Sequence, residues 1–362
     1  MKVLHVVGAR PNFMKVAPVM AEMARFPDIF TQTLVHTGQH YDEKMSEVFF
    51  GDLEMPRPDV YLGIGSGTHA QQTARAMLAL EPVLIEHSPD WVIVVGDVNS
   101  TIAGGLTAAK LGMKVAHVEA GLRSFDRTMP EETNRVLTDH LADLLFTTEP
   151  SGNDNLLREG IPSEKIHFVG NVMIDTLVKL LPKARERWQT LASTLGVERY
   201  VLVTLHRPSN VDAPDTLREI MLALGDIAEH VPVLFPVHPR TRQQIDRRGL
   251  HIENDDLRLL EPVGYLDFLS LMCHASVVVT DSGGVQEETT YLGVPCLTVR
   301  PNTERPITLT AGTNRLVPSE RRALVESVQL ALNPAYPGDR QPPEKWDGQA
   351  AQRIVAVLRG YV

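Results

Sequence analysis

Four side chains in this 362-residue sequence, Asp97, Glu119, Glu131 and His206, combine proton-transfer chemistry with the places where a fold seats such groups. Asp97 follows the apolar run WVIVVG, and Glu119 follows KVAHV. Both belong to one βαβ unit, WVIVVGDVNSTIAGGLTAAKLGMKVAHVEAGLRS, with Gly112 as its helix stop. If the two strands are neighbours their backbones run about 5 Å apart, and about twice that with one strand between. Two carboxylates in one crevice push their pKa values apart, leaving an acid and a base at neutral pH. Taken singly, the alternative for each is a helix cap or a loop salt bridge, against which the strand-end position of Asp97 favours function. Glu131 lies in TMPEETNRVLTDHLADLLF beside Glu132, in a first helical turn after Pro130 where the dipole alone favours anions. That helix leaves the same βαβ unit, so Glu131 is placed to supply a third carboxylate. His206 and Arg207 end the run YVLVTLHR. An imidazole there would protonate a departing oxygen or stabilise its charge, unless it is a satisfied histidine between domains.

Other residues are suited to anions. In SVVVTDSGGVQEETTYLGVPCLTV, a strand delivers Ser282, Gly283 and Gly284 to a helix N-terminus, whose free N–H groups select an anion. One turn on, Glu288 could accept both hydroxyls of a ribose, and Gly293 stops the helix. A plain tight turn would leave Glu287 and Glu288 explained only by the dipole. Arg305, in RPNTERP, either caps the same anion or faces solvent. Gly8-Ala9-Arg10-Pro11-Asn12 follows the first strand and opens a helix containing Lys15, without the G-x-G-x-x-G spacing of a dinucleotide site. Arg10 and Lys15 are then phosphate ligands or solvated helix-start charges. His238 and Arg240, in VLFPVHPRTR, read as structural, with sugar or phosphate contact as the alternative. His36 and His40 flank the turn TGQ and have no cysteine partner, so no metal is expected.

The elements that must hold these groups are short β-branched runs alternating with helical stretches: VLHVV (3–7), WVIVV (91–95), KVAHV (114–118), YVLVT (200–204), VLFPV (233–237), SVVVT (276–280) and PCLTV (295–299). Continuous apolar runs of this kind indicate parallel strands covered on both faces, hence an α/β protein. Length implies two domains. They are expected at 1–175 and 176–346, each Rossmann-like and facing a common cleft. A closing amphipathic helix within 347–362 should pack back on the first, burying Ile354, Val355, Val357 and Leu358. The Pro-rich stretch 334–346 reads as a loop. With 43% hydrophobic and 22% charged residues the chain is globular, and a net charge of -10 leaves no basic face for nucleic acid. Cys273 and Cys296 sit in apolar runs and read as reduced thiols of a cytoplasmic protein. The N-terminus lacks the pattern of a signal peptide, and no run approaches about 20 apolar residues, so neither export nor membrane insertion is expected.

In order, GARPNFMK, GDVNST, HVEAGLRS, PEETNR, VTLHRP, DSGGVQEE and TERPI resemble the motif series of the non-hydrolysing UDP-N-acetylglucosamine 2-epimerases, from Val3 to about Leu316. The resemblance implies a glycosyltransferase-B-like fold, a homodimer, and interconversion of UDP-GlcNAc and UDP-ManNAc without a nicotinamide or metal cofactor. UDP would leave C1 as a carboxylate removes the C2 proton, giving 2-acetamidoglucal, and would then return. It further implies Asp97, Glu119, Glu131 and His206 as the catalytic set. Arg10, Lys15, Phe268, Ser282, Gly283, Gly284, Glu288 and Arg305 would bind the UDP part, joined by Arg207 and His238. Two stretches depart from the family pattern. Ser209 stands where Glu is usual, and Gln39-His40-Tyr41-Asp42 replaces the Q-H-R-x-M of members activated by a second UDP-GlcNAc. A UDP-2,3-diacetamido-uronate 2-epimerase, a hydrolysing variant and, more remotely, a glycosyltransferase are the alternatives.

Overall fold

Runs of Val, Ile and Leu form the central strands wherever both faces are covered. The computed structural model describes residues 1–38, 53–333, 336 and 341–362, the side chain of Arg10 excepted. These residues divide into two units, Met1–Lys179 with Glu344–Val362, and Leu180–Pro343.

The first unit holds β1 (Lys2–Val7), β2 (Thr31–His36), β3 (Val60–Tyr61), β4 (Trp91–Val95), β5 (Lys114–Ala120), β6 (Leu144–Thr147) and β7 (Ile166–Phe168). They form one parallel sheet in the order β3-β2-β1-β4-β5-β6-β7. Between them run α1 (Arg10–Met23), α2 (His69–His87), α3 (Asn99–Lys110), α4 (Pro130–Leu141) and α5 (Pro150–Arg158). Local signals set the helix ends. Thr68 opens α2 with a reciprocal cap, its Oγ1 accepting from Gln71 N at 3.3 Å while Gln71 Oε1 accepts from Thr68 N at 3.2 Å. Leu4, Val6, Val92, Val94 and Val115 meet Leu80 and Leu84 of α2 in the core. Each fully buried side chain of this size contributes about 1.5–3 kcal/mol.

Helix α6 (Val172–Leu195) leads into the second unit: β8 (Val201–Thr204), α7 (Pro208–Val211), α8 (Pro214–Ala228), β9 (Val233–Pro236), α9 (Pro239–Arg247), β10 (Leu257–Leu260), α10 (Tyr265–His274), β11 (Val277–Thr280), α11 (Gly283–Leu292), β12 (Cys296–Val299), α12 (Ile307–Thr310), β13 (Asn314–Val317) and α13 (Arg321–Ala331). Its strands are again parallel, ordered β10-β9-β8-β11-β12-β13. Val201, Val203, Leu224, Phe235, Val277 and Val279 fill its core. The closing helix α14 (Ala350–Arg359) belongs to the first unit and packs on α1. Asp175 caps it, accepting from Ala350 N at 3.1 Å and Ala351 N at 2.7 Å. Cys273 and Cys296 are free thiols, half-buried and buried. Among the described residues no helix is long and apolar enough to cross a membrane.

Each sheet reverses its strand order once, between β1 and β4 and between β8 and β11. In open α/β sheets ligands bind beyond the carboxyl ends of the strands at such a switch point. The turns singled out in the sequence all leave these strands or their neighbours.

Candidate active site

In the first unit, the turn after β1 is tied to the end of β4 by one side chain. Asn12 Oδ1 accepts from Gly8 N at 3.1 Å and Ala9 N at 3.0 Å, and its Nδ2 donates to Val95 O at 3.0 Å. Past β4 the chain turns through Gly96 at φ +67°, where an added Cβ would come within 2.8 Å of Lys15 Nζ. The missing side chain makes room for that ammonium. Lys15 is buried, with Nζ 2.7 Å from Glu119 Oε1. Arg10 begins α1, and its side chain, like Gln39–Asp42, lies outside the described residues.

Glu119 corrects a sequence expectation. It was placed just past its strand, but β5 continues to Ala120, and Glu119 sits inside it at a register shift between Val118 and Ala120. Its φ is +74°. For a residue with a Cβ such a conformation costs about 1–3 kcal/mol, and a bulge of this kind re-aims a side chain. Asp97 follows Gly96 and is 20% exposed at its side chain, with Oδ2 3.0 Å from Arg135 Nε and 2.8 Å from Nη2. Asn134 Nδ2 donates to the Asp97 carbonyl at 2.9 Å. Both residues come from α4, the helix that begins with Glu131. The two acidic residues of its first turn divide their work. Glu132 is buried and accepts from Ser124 N, Ser124 Oγ and Phe125 N at 2.9 Å each, and from Arg135 Nη1 at 2.5 Å. It folds the loop before the helix, whereas half-buried Glu131 stays at the helix start. Asp97 and Glu119 are thus each matched by a cation at the ends of adjacent strands.

In the second unit the organising group is one the sequence reading passed over, the carboxylate of Asp281 at the end of β11. It is fully buried and accepts from His206 N at 3.1 Å, Arg207 N at 2.9 Å and Asn210 Nδ2 at 3.0 Å, with His206 Nδ1 2.9 Å away. The signal was available, since an Asp that directly follows an apolar strand and precedes Ser-Gly-Gly must meet the neighbouring strand end. His206 itself is half-exposed. Arg207 Nε donates to the Asp281 carbonyl at 3.0 Å. His238 caps α9, its Nδ1 accepting from Arg240 N at 3.3 Å, which is the structural role expected of it. Burial, with the charges of His206 and Arg240, lowers its pKa.

Ser282 is the N-cap of α11, with Gly283 and Gly284 in its first turn and Gly293, at φ +74°, ending it. Glu288, buried, accepts from Tyr265 Oη at 2.6 Å, and Phe268 is half-buried on α10. Arg305 does not face solvent. It is 5% exposed, with Nε 2.7 Å from Glu287 Oε1 and Nη1 on Glu304 Oε1, and Arg300 Nη2 takes the other Glu304 oxygen at 2.8 Å. Glu287, which the dipole alone explained, therefore holds an arginine against the helix N-terminus. Gly283 leaves space for it, since an added Cβ would lie 2.5 Å from Arg305 Nη1 and 2.8 Å from Glu304 Oε1. Gly283→Ala should displace Arg305 from both carboxylates and weaken, by about tenfold or 1.4 kcal/mol, binding of the UDP that the sequence resemblance implies. Calorimetric titration with UDP checks this; unchanged affinity in a folded variant would remove Arg305 from the anion site. Among the described residues no group of three His, Cys, Asp or Glu side chains is gathered as metal ligands would be.

A family model described as UDP-N-acetylglucosamine 2-epimerase matches residues 22–359. A UDP-N-acetylglucosamine 2-epimerase of Methanococcus maripaludis is 43% identical over 339 residues, covering 91% of this chain and 92% of that protein. A UDP-2,3-diacetamido-2,3-dideoxy-D-glucuronate 2-epimerase of Pseudomonas aeruginosa is 42% identical, covering 99% of each. The crystal structure of the Methanocaldococcus jannaschii UDP-GlcNAc 2-epimerase in complex with UDP-GlcNAc and UDP superposes with a TM-score of 0.92 at 41% identity, over 99% of this chain and 100% of that one. With the same two parallel sheets and a match along nearly its whole length, this chain belongs to the UDP-N-acetylglucosamine 2-epimerase family.

Proposed function

We propose that the chain inverts C2 of a UDP-2-acetamido sugar, interconverting UDP-GlcNAc and UDP-ManNAc. The observation that carries this reading is the pair of cation-matched carboxylates at the β4 and β5 ends, Asp97 and Glu119, with Glu131 at the start of the helix whose Arg135 reaches Asp97, in a chain whose other unit has an arginine at a helix N-terminus. One carboxylate takes the C2 proton. The C–H electron pair forms the C1=C2 bond, and the C1–O bond breaks with its pair leaving on UDP. The products are 2-acetamidoglucal and UDP. A protonated carboxyl on the opposite face then returns a proton to C2 as UDP adds back at C1. No electron changes hands, so the reaction needs no redox cofactor.

The roles follow from residue chemistry. Asp97, Glu119 and Glu131 form the acid–base set, and His206 meets the departing β-phosphate oxygen. Amides of Ser282, Gly283 and Gly284, with Arg10, Lys15, Arg207 and Arg305, hold the phosphates. Glu288 takes the ribose, while Phe268 and His238 line the nucleotide and sugar. A UDP-sugar substrate and two reduced thiols fit a cytoplasmic enzyme. The test is NMR of the purified protein with UDP-GlcNAc in D2O, following deuterium at C2, UDP-ManNAc, free UDP and free ManNAc. Absence of C2 exchange with every UDP-2-acetamido sugar sinks the reading. Faster exchange with UDP-2,3-diacetamido-2,3-dideoxy-D-glucuronate would move the substrate toward that of the Pseudomonas relative, and accumulating free ManNAc toward hydrolysis.

A homodimer is part of the same reading. Leu78 and Ile85, 72% and 57% exposed, lie two turns apart on the outer face of α2 with Ala74 and Pro82 between or beside them, an apolar stripe suited to a second copy. The double substitution Leu78→Glu, Ile85→Glu should convert a dimer to a monomer in light scattering. A variant that stays dimeric places the interface elsewhere.

A further inference from the structure

His117, on β5 two residues before Glu119, is fully enclosed and has no part in the chemistry above. Both its ring nitrogens face acceptors: Nδ1 lies 2.7 Å from Asp139 Oδ1, and Nε2 lies 2.8 Å from the Gly96 carbonyl oxygen. A peptide carbonyl only accepts. The other Asp139 oxygen takes the Gly121 amide at 3.1 Å and Arg123 Nη1 at 2.7 Å, so donors surround this carboxylate as well. Burial alone would raise its pKa, but the hydrogen bond and charge of His117, with Arg123, hold it below the usual carboxylate range. The ring therefore donates to the Gly96 carbonyl from Nε2 and shares a proton with Asp139 at Nδ1, bridging α4 to the β4 turn.

Each partner of that ring borders one of the carboxylates assigned to proton transfer. Gly96 precedes Asp97, and its amide donates to Val118 O at 3.0 Å, closing the β4 turn against β5. Gly121 lies two residues past Glu119 at φ +81°, where an added Cβ would meet Gly152 O at 2.5 Å, so this turn packs its backbone directly against α5. Asp139 belongs to α4, which begins with Glu131 and sends Asn134 and Arg135 to Asp97. Arg123 fixes the far side through Glu159, at 2.8 and 2.7 Å.

Building on the epimerase reading, we infer that the buried His117–Asp139 pair is the positioning element of the reaction: it registers α4 against the ends of β4 and β5 and so sets the spacing of Asp97, Glu119 and Glu131 without touching the substrate. A misplacement of about 1 Å at reacting groups costs on the order of 10²-fold in rate. A pair buried for packing alone would leave the rate of the folded protein unchanged.

The experiment pairs two conservative variants. His117→Asn places an amide nitrogen near Nδ1 and keeps the Asp139 contact; His117→Gln reaches instead toward the Gly96 carbonyl. Each is expected to lower kcat for C2 exchange by about 10²-fold, with KM for UDP-GlcNAc and Kd for UDP within about twofold of wild type. His117→Phe, which keeps volume without a donor, should have the lowest kcat of the three in whatever fraction folds. Ring ¹⁵N spectra of the wild-type protein, with His117 assigned by difference against His117→Gln, should show a proton held on Nε2, the nitrogen that faces the Gly96 carbonyl. Wild-type kcat in folded His117→Asn and His117→Gln overturns the positioning role, and an Nε2 without a proton overturns the bridge to Gly96. If the wild-type protein exchanges no C2 proton, the epimerase reading fails with the positioning role, and the ring spectrum still decides the bridge.

Discussion

Asp97→Asn is expected to reduce C2 deuterium exchange by about 10²–10⁴-fold, the span lost when a positioned acid or base is removed. The amide keeps the side chain's shape but neither takes a proton nor carries the charge that meets Arg135 at 2.8 Å. Arg135 keeps Glu132 at 2.5 Å, and Glu132 keeps its three donors from Ser124 and Phe125, so the loop and the start of α4 should stay in place. The loss should therefore appear in kcat, with UDP affinity within about twofold of wild type, because the residues assigned to the diphosphate lie mostly in the other unit. Glu131→Gln tests the same set from the helix side and should show the same pattern. Equal exchange rates in Asp97→Asn and the wild-type protein would exclude Asp97 from proton transfer, and a parallel loss of UDP binding would make it a ligand instead.

The sequence announced the parts of this site that depend on local chemistry. Fully buried strands such as WVIVV and SVVVT are continuous β-branched runs, legible because both faces are covered. The turn into α11 was legible because Ser-Gly-Gly after such a strand leaves few alternatives. Thr31–His36, Leu257–Leu260 and Asn314–Val317 were not read as strands. Each mixes polar with apolar residues because it is only partly buried, near or at a sheet edge. What remained hidden in the site shares one cause, pairing between distant segments. Lys15 meets Glu119 across 104 residues and His206 meets Asp281 across 75, and no local pattern encodes either contact. Arg305, open between anion and solvent, likewise turns on Glu287 of α11, while the left-handed conformation of Glu119 shows only in the backbone. Residue types at strand ends thus nominated the candidate groups. Which of two neighbours, Glu131 or Glu132, was consumed by the fold required the structure.

Asp281→Asn is expected to be as damaging as loss of a catalytic carboxylate, although Asp281 is assigned no contact with substrate. Its Oδ1 lies 2.9 Å from His206 Nδ1, and Oδ2 accepts from Arg207 N and Asn210 Nδ2 at 2.9 and 3.0 Å. An amide presents only one oxygen. If its nitrogen replaces Oδ2, two donors face a donor, at a cost of about 1–3 kcal/mol. If it replaces Oδ1, His206 must accept at Nδ1 and carry its proton on Nε2, and the ring loses the carboxylate oxygen that faces it. In the comparable Asp–His arrangement of serine proteases, the same substitution costs about 10⁴-fold in kcat. A fall of at least about 10²-fold is expected here, since His206 assists a phosphate that is already a competent leaving group. The stability profile gives an independent check. Burial pushes the Asp281 carboxyl up, but the hydrogen bond and charge of His206, the Arg207 amide and Asn210 outweigh it and leave its pKa lowered. A depressed carboxylate stabilises the fold above its unfolded pKa of about 4, and that contribution is lost as pH falls through the folded value. The melting temperature of the wild-type protein should therefore exceed that of Asp281→Asn by its full margin at neutral pH, with the gap closing in acid below about pH 4. A constant gap across that range, together with wild-type kcat in the variant, would reduce Asp281 to a turn residue and leave His206 to orient itself.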